Sequence, residues 1–174
     1  MLDDSHQRYG AVTRFFHWVM AILIVEQFFK FADRINEGEH WLGDTFGPLH
    51  GSIGLTLLML VVLRILWAIS QRRQRPVNEG LEGLVAKAAH GLMYFCVLIM
   101  PFLGMLYVYG KGYPVKFFGL ELIAKPAGET EWAIAVGGFH SPLAILLALL
   151  VLAHIASAIY HRMVKKDDVL QRML

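Results

Sequence analysis

Eight histidines and one cysteine, Cys96, make up most of the ligand chemistry available to this 174-residue chain. One thiol excludes an internal disulfide, a thiolate-held iron–sulfur cluster, a zinc ribbon and a C-x-x-C-H attachment motif. Imidazole is left as the group that can bind metal or move protons. Three histidines, His140, His154 and His161, follow one another at spacings of fourteen and seven residues. At about 100° per residue, fourteen residues return to within ~40° of the start and seven to within ~20°, so the three share one stripe of a helix. A rise of 1.5 Å per residue separates His140 from His154 by ~21 Å along the axis.

The elements that carry these residues are apolar. The chain is 56% hydrophobic and 17% charged, against about 25% charged in ordinary soluble domains. Four blocks, about 15–31, 49–69, 84–109 and 139–163, are long enough to cross a ~30 Å hydrocarbon layer. All four are expected to be helices, because backbone polar groups in lipid need partners within their own segment. The expected fold is an all-α membrane protein: a four-transmembrane-helix bundle forming a single domain, 1–174. Pro101, inside the third block, is tolerable in a membrane helix. This pattern excludes a soluble enzyme, a disordered chain and a nucleic-acid module, and the net charge of +2 says nothing about partners. Block one follows a tail of mixed charge with no small-residue cleavage site, so it reads as a retained helix. Ten Lys and Arg flank one side of the blocks and five the other, Arg64 being left out of both counts. The positive-inside rule therefore expects both termini in the cytoplasm. The outer loops, 33–48 and 110–138, include Tyr113, Phe117, Phe118 and Trp132, which suit the membrane interface.

Depth then selects partners. His17 lies near the cytoplasmic start of helix one, and His50 near the outer start of helix two. His17 can meet His154 on the inner side, and His50 can meet His140 on the outer side. Two facing imidazoles from different helices are what a six-coordinate b-type haem requires. The reading is therefore two haem b groups, the inner iron on His17 and His154 and the outer iron on His50 and His140. Gly51, Gly54, Gly91, Gly104, Gly137 and Gly138 permit close approach to a porphyrin face, or ordinary close helix packing. Met20 and Met59 are thioether alternatives, and His40 is an alternative outer ligand.

With these histidines placed, the chain resembles the bacterial di-haem cytochrome b561 family. The matching stretches are Thr13-Arg14-Phe15-Phe16-His17-Trp18, Leu49-His50-Gly51 through Leu63-Arg64, Ala89-His90-Gly91 through Met100-Pro101, and His154 through His161 into Asp168-Val169-Leu170. The resemblance implies a multi-pass cytochrome of the bacterial inner membrane with two b haems and a quinone partner, and superoxide oxidase is one member type. His90 also matches a histidine of the family. It starts helix three on the cytoplasmic side, which assigns it to the quinone or proton side, with ligation of the inner haem as the alternative.

Arg64 is fourteen residues from His50, at the depth of the inner haem. A buried arginine needs a partner, and a haem propionate would serve; snorkelling to the surface is the alternative. His161 lies beyond His154 on the inner side, suited to donate to a quinone carbonyl and pass a proton. Two functions compete. In one, superoxide gives electrons to the outer haem and ubiquinone is reduced near the inner one, with Lys111 and Lys116 helping to capture the anion. Taken with Lys30 at the end of block one, the outer loops carry five basic and seven acidic residues, however, a sum of −2. That acidic face suits the rival reading, an electron-relay or anchor subunit exchanging electrons between quinone and a periplasmic redox protein.

Overall fold

The computed structural model describes residues 1–31, 41–76 and 80–174. In chain order the elements are α1 (Ala11–Phe28), α2 (Trp41–Phe46), a 3-10 turn (Gly47–Leu49), α3 (His50–Ser70), α4 (Gly80–Gly110), β1 (Val115–Phe117), β2 (Leu120–Ile123), α5 (Glu131–Gly137) and α6 (His140–Tyr160). α6 continues into a single π turn, His161–Lys165. Four helical stretches, built on α1, α3, α4 and α6, are long and apolar enough to cross a membrane.

α1 starts four residues before the expected 15 for a local reason. A helix leaves its first N–H groups without internal partners, and here the N-terminal tail supplies them. Ala11 and Val12 donate to the carbonyls of Met1 and Leu2 at 3.1 and 3.4 Å. α4 likewise starts at Gly80 rather than 84.

α1 packs on α3, α3 on α4, and α4 on α6. The core they share is small: Met20, Leu57, Val61, Cys96, Val97 and Leu147, drawn from all four helices. Ile22, Leu66, Phe95, Leu149 and Leu152 face outward. A helix that is apolar all round belongs in lipid, where no hydrophobic force favours burying one face over another.

Both termini and the end of α3 meet at one end, called inner below. Asp4 is 1% exposed, and its carboxylate accepts from the Gly10 amide at 2.8 Å and from Arg75 Nε at 2.9 Å. The Asp4 amide donates to Gln71 Oε1 at 3.1 Å. A side chain at Gly10 would place its Cβ 2.2 Å from the Leu2 carbonyl, so only glycine lets the tail fold back there. The C-terminal tail joins this cap: Tyr9 N–H donates to the Arg172 carbonyl at 3.1 Å, and Trp18 Nε1 to the Met173 carbonyl at 3.2 Å.

The long outer loop holds a hairpin that the sequence reading did not anticipate. β1 and β2 pair antiparallel through a tight turn at Phe118 and Gly119, both with positive φ (45° and 90°). Two such residues match the twist of a hairpin. Phe118 is unusual in that conformation, and its amide is held by Ser52 Oγ of α3 at 2.8 Å. That bond ties the hairpin to the outer end of the bundle.

Candidate functional site

At the outer end, His50 opens α3 directly after the 3-10 turn with Pro48, and His140 opens α6 directly after α5. Their ring centres are 5.9 Å apart with planes at 72°. His140 Nδ1 lies 2.9 Å from the Met100 carbonyl. A carbonyl only accepts, so Nδ1 carries the hydrogen and Nε2 is the free nitrogen. Buried metal-binding histidines are oriented in this way. Gly104 stands beside this ring: a Cβ there would lie 3.3 Å from His140 Nδ1.

The two rings face a cavity of about 720 Å³, whose apolar lining includes Gly51, Gly54, Leu57, Gly104 and Leu147. Lys30 and Lys116 are its cationic residues, and Val115 of the hairpin, 5% exposed, closes one side. A b-type haem asks for opposed imidazoles, a flat apolar slot and cations near its two carboxylates, and these residues fit that group. The glycines sort into two uses. Gly51, Gly54 and Gly104 open onto the cavity, whereas Gly137 meets Tyr107 so closely that a Cβ would lie 2.4 Å from its backbone nitrogen. Gly91 has nothing within 4 Å and does not line the cavity.

At the inner end, His17 of α1 and His154 of α6 have ring centres 6.2 Å apart, with planes at 68°. His90 of α4 reaches the same cluster, 5.2 Å from His154. Arg64 turns inward rather than snorkelling. Its Nη2 is 3.4 Å from His17 Nδ1, its Nη1 is 3.9 Å from Met20 Sδ, and its guanidinium lies 5.3 Å from the Tyr94 ring centre. Nearby, Trp67 Nε1 donates to Thr13 Oγ1 at 2.9 Å and joins α3 to α1.

The other expected residues scatter. Met59 is 50% exposed on the outer face of α3, while Met20 is buried in the core. His40 lies outside the described residues. Lys111 pairs with Glu129 at 3.6 Å, whereas Lys116 lines the outer cavity. His161 heads the π turn, with Nδ1 2.7 Å from Asp167 Oδ2. Asp167 was not singled out in the sequence. The hydrogen bond from His161 holds its carboxyl below the usual carboxylate range.

The family model for prokaryotic cytochrome b561 matches residues 8–174. The chain belongs to the prokaryotic cytochrome b561 family. It is 30% identical to cytochrome b561 homolog 2 of Escherichia coli K12, over 98% of this chain and 93% of that one. It is 27% identical to cytochrome b562 of Cereibacter sphaeroides, over 91% and 89% of the two chains. It is 24% identical to a probable superoxide oxidase of Yersinia pestis, over 97% of each. The b561 family binds b-type haem and transfers electrons within membranes, so this chain is a membrane-embedded electron-transfer cytochrome. Its bundle of four candidate spans is the expected fold class.

Proposed function

We propose that this cytochrome b561 carries two b haems and passes electrons from a periplasmic donor to quinone, with superoxide as donor and ubiquinone as acceptor. The observation that carries the reading is the pair of facing imidazole sites. About 2 Å metal–nitrogen bonds on each side of one iron put two ring centres roughly 6 Å apart. His50 with His140, at 5.9 Å, and His17 with His154, at 6.2 Å, stand at that separation. His90, at 5.2 Å from His154, stands closer than a shared iron would leave it, which favours His17 as the inner ligand.

A haem held at each histidine pair would supply a one-electron carrier. Two superoxide ions, each leaving as dioxygen, give two electrons; with two protons these convert one quinone to quinol. Lys116 at the outer cavity is placed to attract a small anion, while Glu129 offsets Lys111. Arg64 is assigned to an inner haem propionate, and His161 and His90 to the quinone side. The lysine and arginine asymmetry supports an inner-membrane orientation with both termini cytoplasmic. The relay reading rests on the acidic sum of the outer loops, which would suit a basic redox protein.

The haem-loaded protein, given ubiquinone and a pulse of superoxide, should form quinol with no partner protein present. Lys116→Ala should slow superoxide consumption several-fold and flatten its salt dependence, and Lys111→Ala should change it little. Consumption no faster than spontaneous dismutation, together with rapid haem reduction by a periplasmic redox protein, would favour the relay. A reporter fused after Leu174 that works only in the periplasm would reverse the orientation.

A further inference from the structure

The carboxylate of Asp167 is bound at the inner end by a backbone arrangement that the helix pattern does not require. α6 widens into the π turn His161–Lys165, and Lys166 then takes a left-handed conformation with φ 56°. π turns inside helices are frequent at functional sites, and a non-glycine residue at positive φ is uncommon. Together they fold the chain back, so that the Asp167 amide donates to the His161 carbonyl at 3.3 Å. Oδ1 of Asp167 accepts from the Val169 amide at 3.2 Å, and Oδ2 lies 2.7 Å from His161 Nδ1. The carboxylate is thus held from both sides, and among the described residues its hydrogen-bonded side-chain partner is an imidazole.

We propose that Asp167 is the positioning residue for His161 in proton delivery to quinone. The proposal rests on the quinone-side reading of His161. A carboxylate on Nδ1 keeps a hydrogen on that nitrogen in both protonation states, so proton exchange is confined to Nε2. In the step assigned here, Nε2–H breaks as an O–H bond forms on one quinone oxygen, and water on the inner side returns the proton to Nε2. Two such protons, with the two electrons that bound haems would supply, complete the quinol. Other charged or titratable groups also face the dyad. Glu82 of α4 interacts with both His161 and Asp167, and Lys165 of the π turn holds Glu82 at 2.6 Å. The Tyr160 ring centre lies 6.2 Å from that of His161. Lys165 is hydrogen-bonded to Glu82 and acts on Asp167 through charge alone, so the hydrogen bond to the imidazole is made by Asp167.

The test uses the haem-loaded protein, reduced beforehand with dithionite and mixed with ubiquinone-1, so that superoxide plays no part. Haem re-oxidation is followed from pH 5.5 to 9 in the wild type, Asp167→Asn, Asp167→Glu and His161→Ala. Asp167→Asn should keep both haem spectra and the haem count, while the rate falls most at the alkaline end of the range, where a neutral ring without its carboxylate partner can take the wrong tautomer. At pH 8 the variant should be about tenfold slower than wild type, with little difference at pH 5.5. Asp167→Glu should restore most of the rate. A merely structural role would lower the rate equally at every pH, and that result would overturn the proposal. An Asp167→Asn profile superimposed on wild type, with His161→Ala slow, would overturn it while sparing the quinone reading. Unchanged turnover in His161→Ala would remove the quinone reading itself.

Discussion

Gly104 stands beside His140 at the outer end, whereas Arg64 stands beside His17 at the inner end. Around that contrast the two sites are built differently. The outer pair sits at the first residues of α3 and α6, opens on an apolar cavity and is closed by a hairpin held through Ser52. The inner cluster has three histidines, a guanidinium and a tyrosine packed together, beneath a cap made by both chain termini. On the proposed function, the outer end would admit a flat group within reach of an aqueous reactant. The inner end is rich in proton-carrying groups, as the proposed reduction of a quinone there would require.

The sharpest way to break this comparison is to remove one ligand at each end. His140→Ala should reduce the haem content from two to one per chain and leave the inner haem spectrum intact, and His17→Ala should do the mirror image. Haem counting by extraction, with a reduced-minus-oxidised spectrum, checks both. Two haems retained in His140→Ala, together with one lost in His90→Ala, would mean that the pairing is wrong.

A smaller effect sharpens the role of the glycines. Gly104→Val adds atoms where a Cβ already lies 3.3 Å from His140 Nδ1, so the outer haem should fall to well under half occupancy. Gly91→Val, with nothing within 4 Å, should leave both haems in place. Equal losses in the two variants would show that helix packing, not room for a ring, sets the glycine requirement.

The smallest effect belongs to the inner cap. Arg75→Leu leaves the carboxylate of Asp4, whose side chain is 0% exposed, without its cation. A deeply buried orphan charge costs about 3–5 kcal/mol. Arg75 itself is 23% exposed, so about 2 kcal/mol is the expected loss, read as a lower melting temperature. The inner haem should be released before the outer one during heating.

Much of this was legible in the residues. Apolar blocks of membrane-crossing length, and histidines at matching depth, require only a helix of fixed rise and a bilayer of fixed thickness. The meeting of His17 with His154, and of His50 with His140, follows from those two lengths. The helix starts were less legible: hydropathy cannot see that the tail carbonyls of Met1 and Leu2 extend α1 to Ala11. The outer hairpin was also missed, because its turn uses Phe118 where asparagine or glycine would have announced it. Its tie to Ser52 joins residues sixty-six apart in the chain.

The sequence by itself determined that this chain lives in a membrane as four helices and which histidines share a depth. Both are set by local periodicity and by the length of each apolar block. Only the tertiary structure decided what stands beside each histidine. It turned Arg64 inward to His17 and brought His90 against His154. It tied Lys111 to Glu129 while leaving Lys116 on the cavity wall, and it folded Asp167 back onto His161. These contacts depend on how helices rotate about their own axes and how chain ends fold back. In lipid, where an all-round apolar helix has no preferred buried face, those rotations are set by close packing and polar contacts between segments, which no single segment encodes.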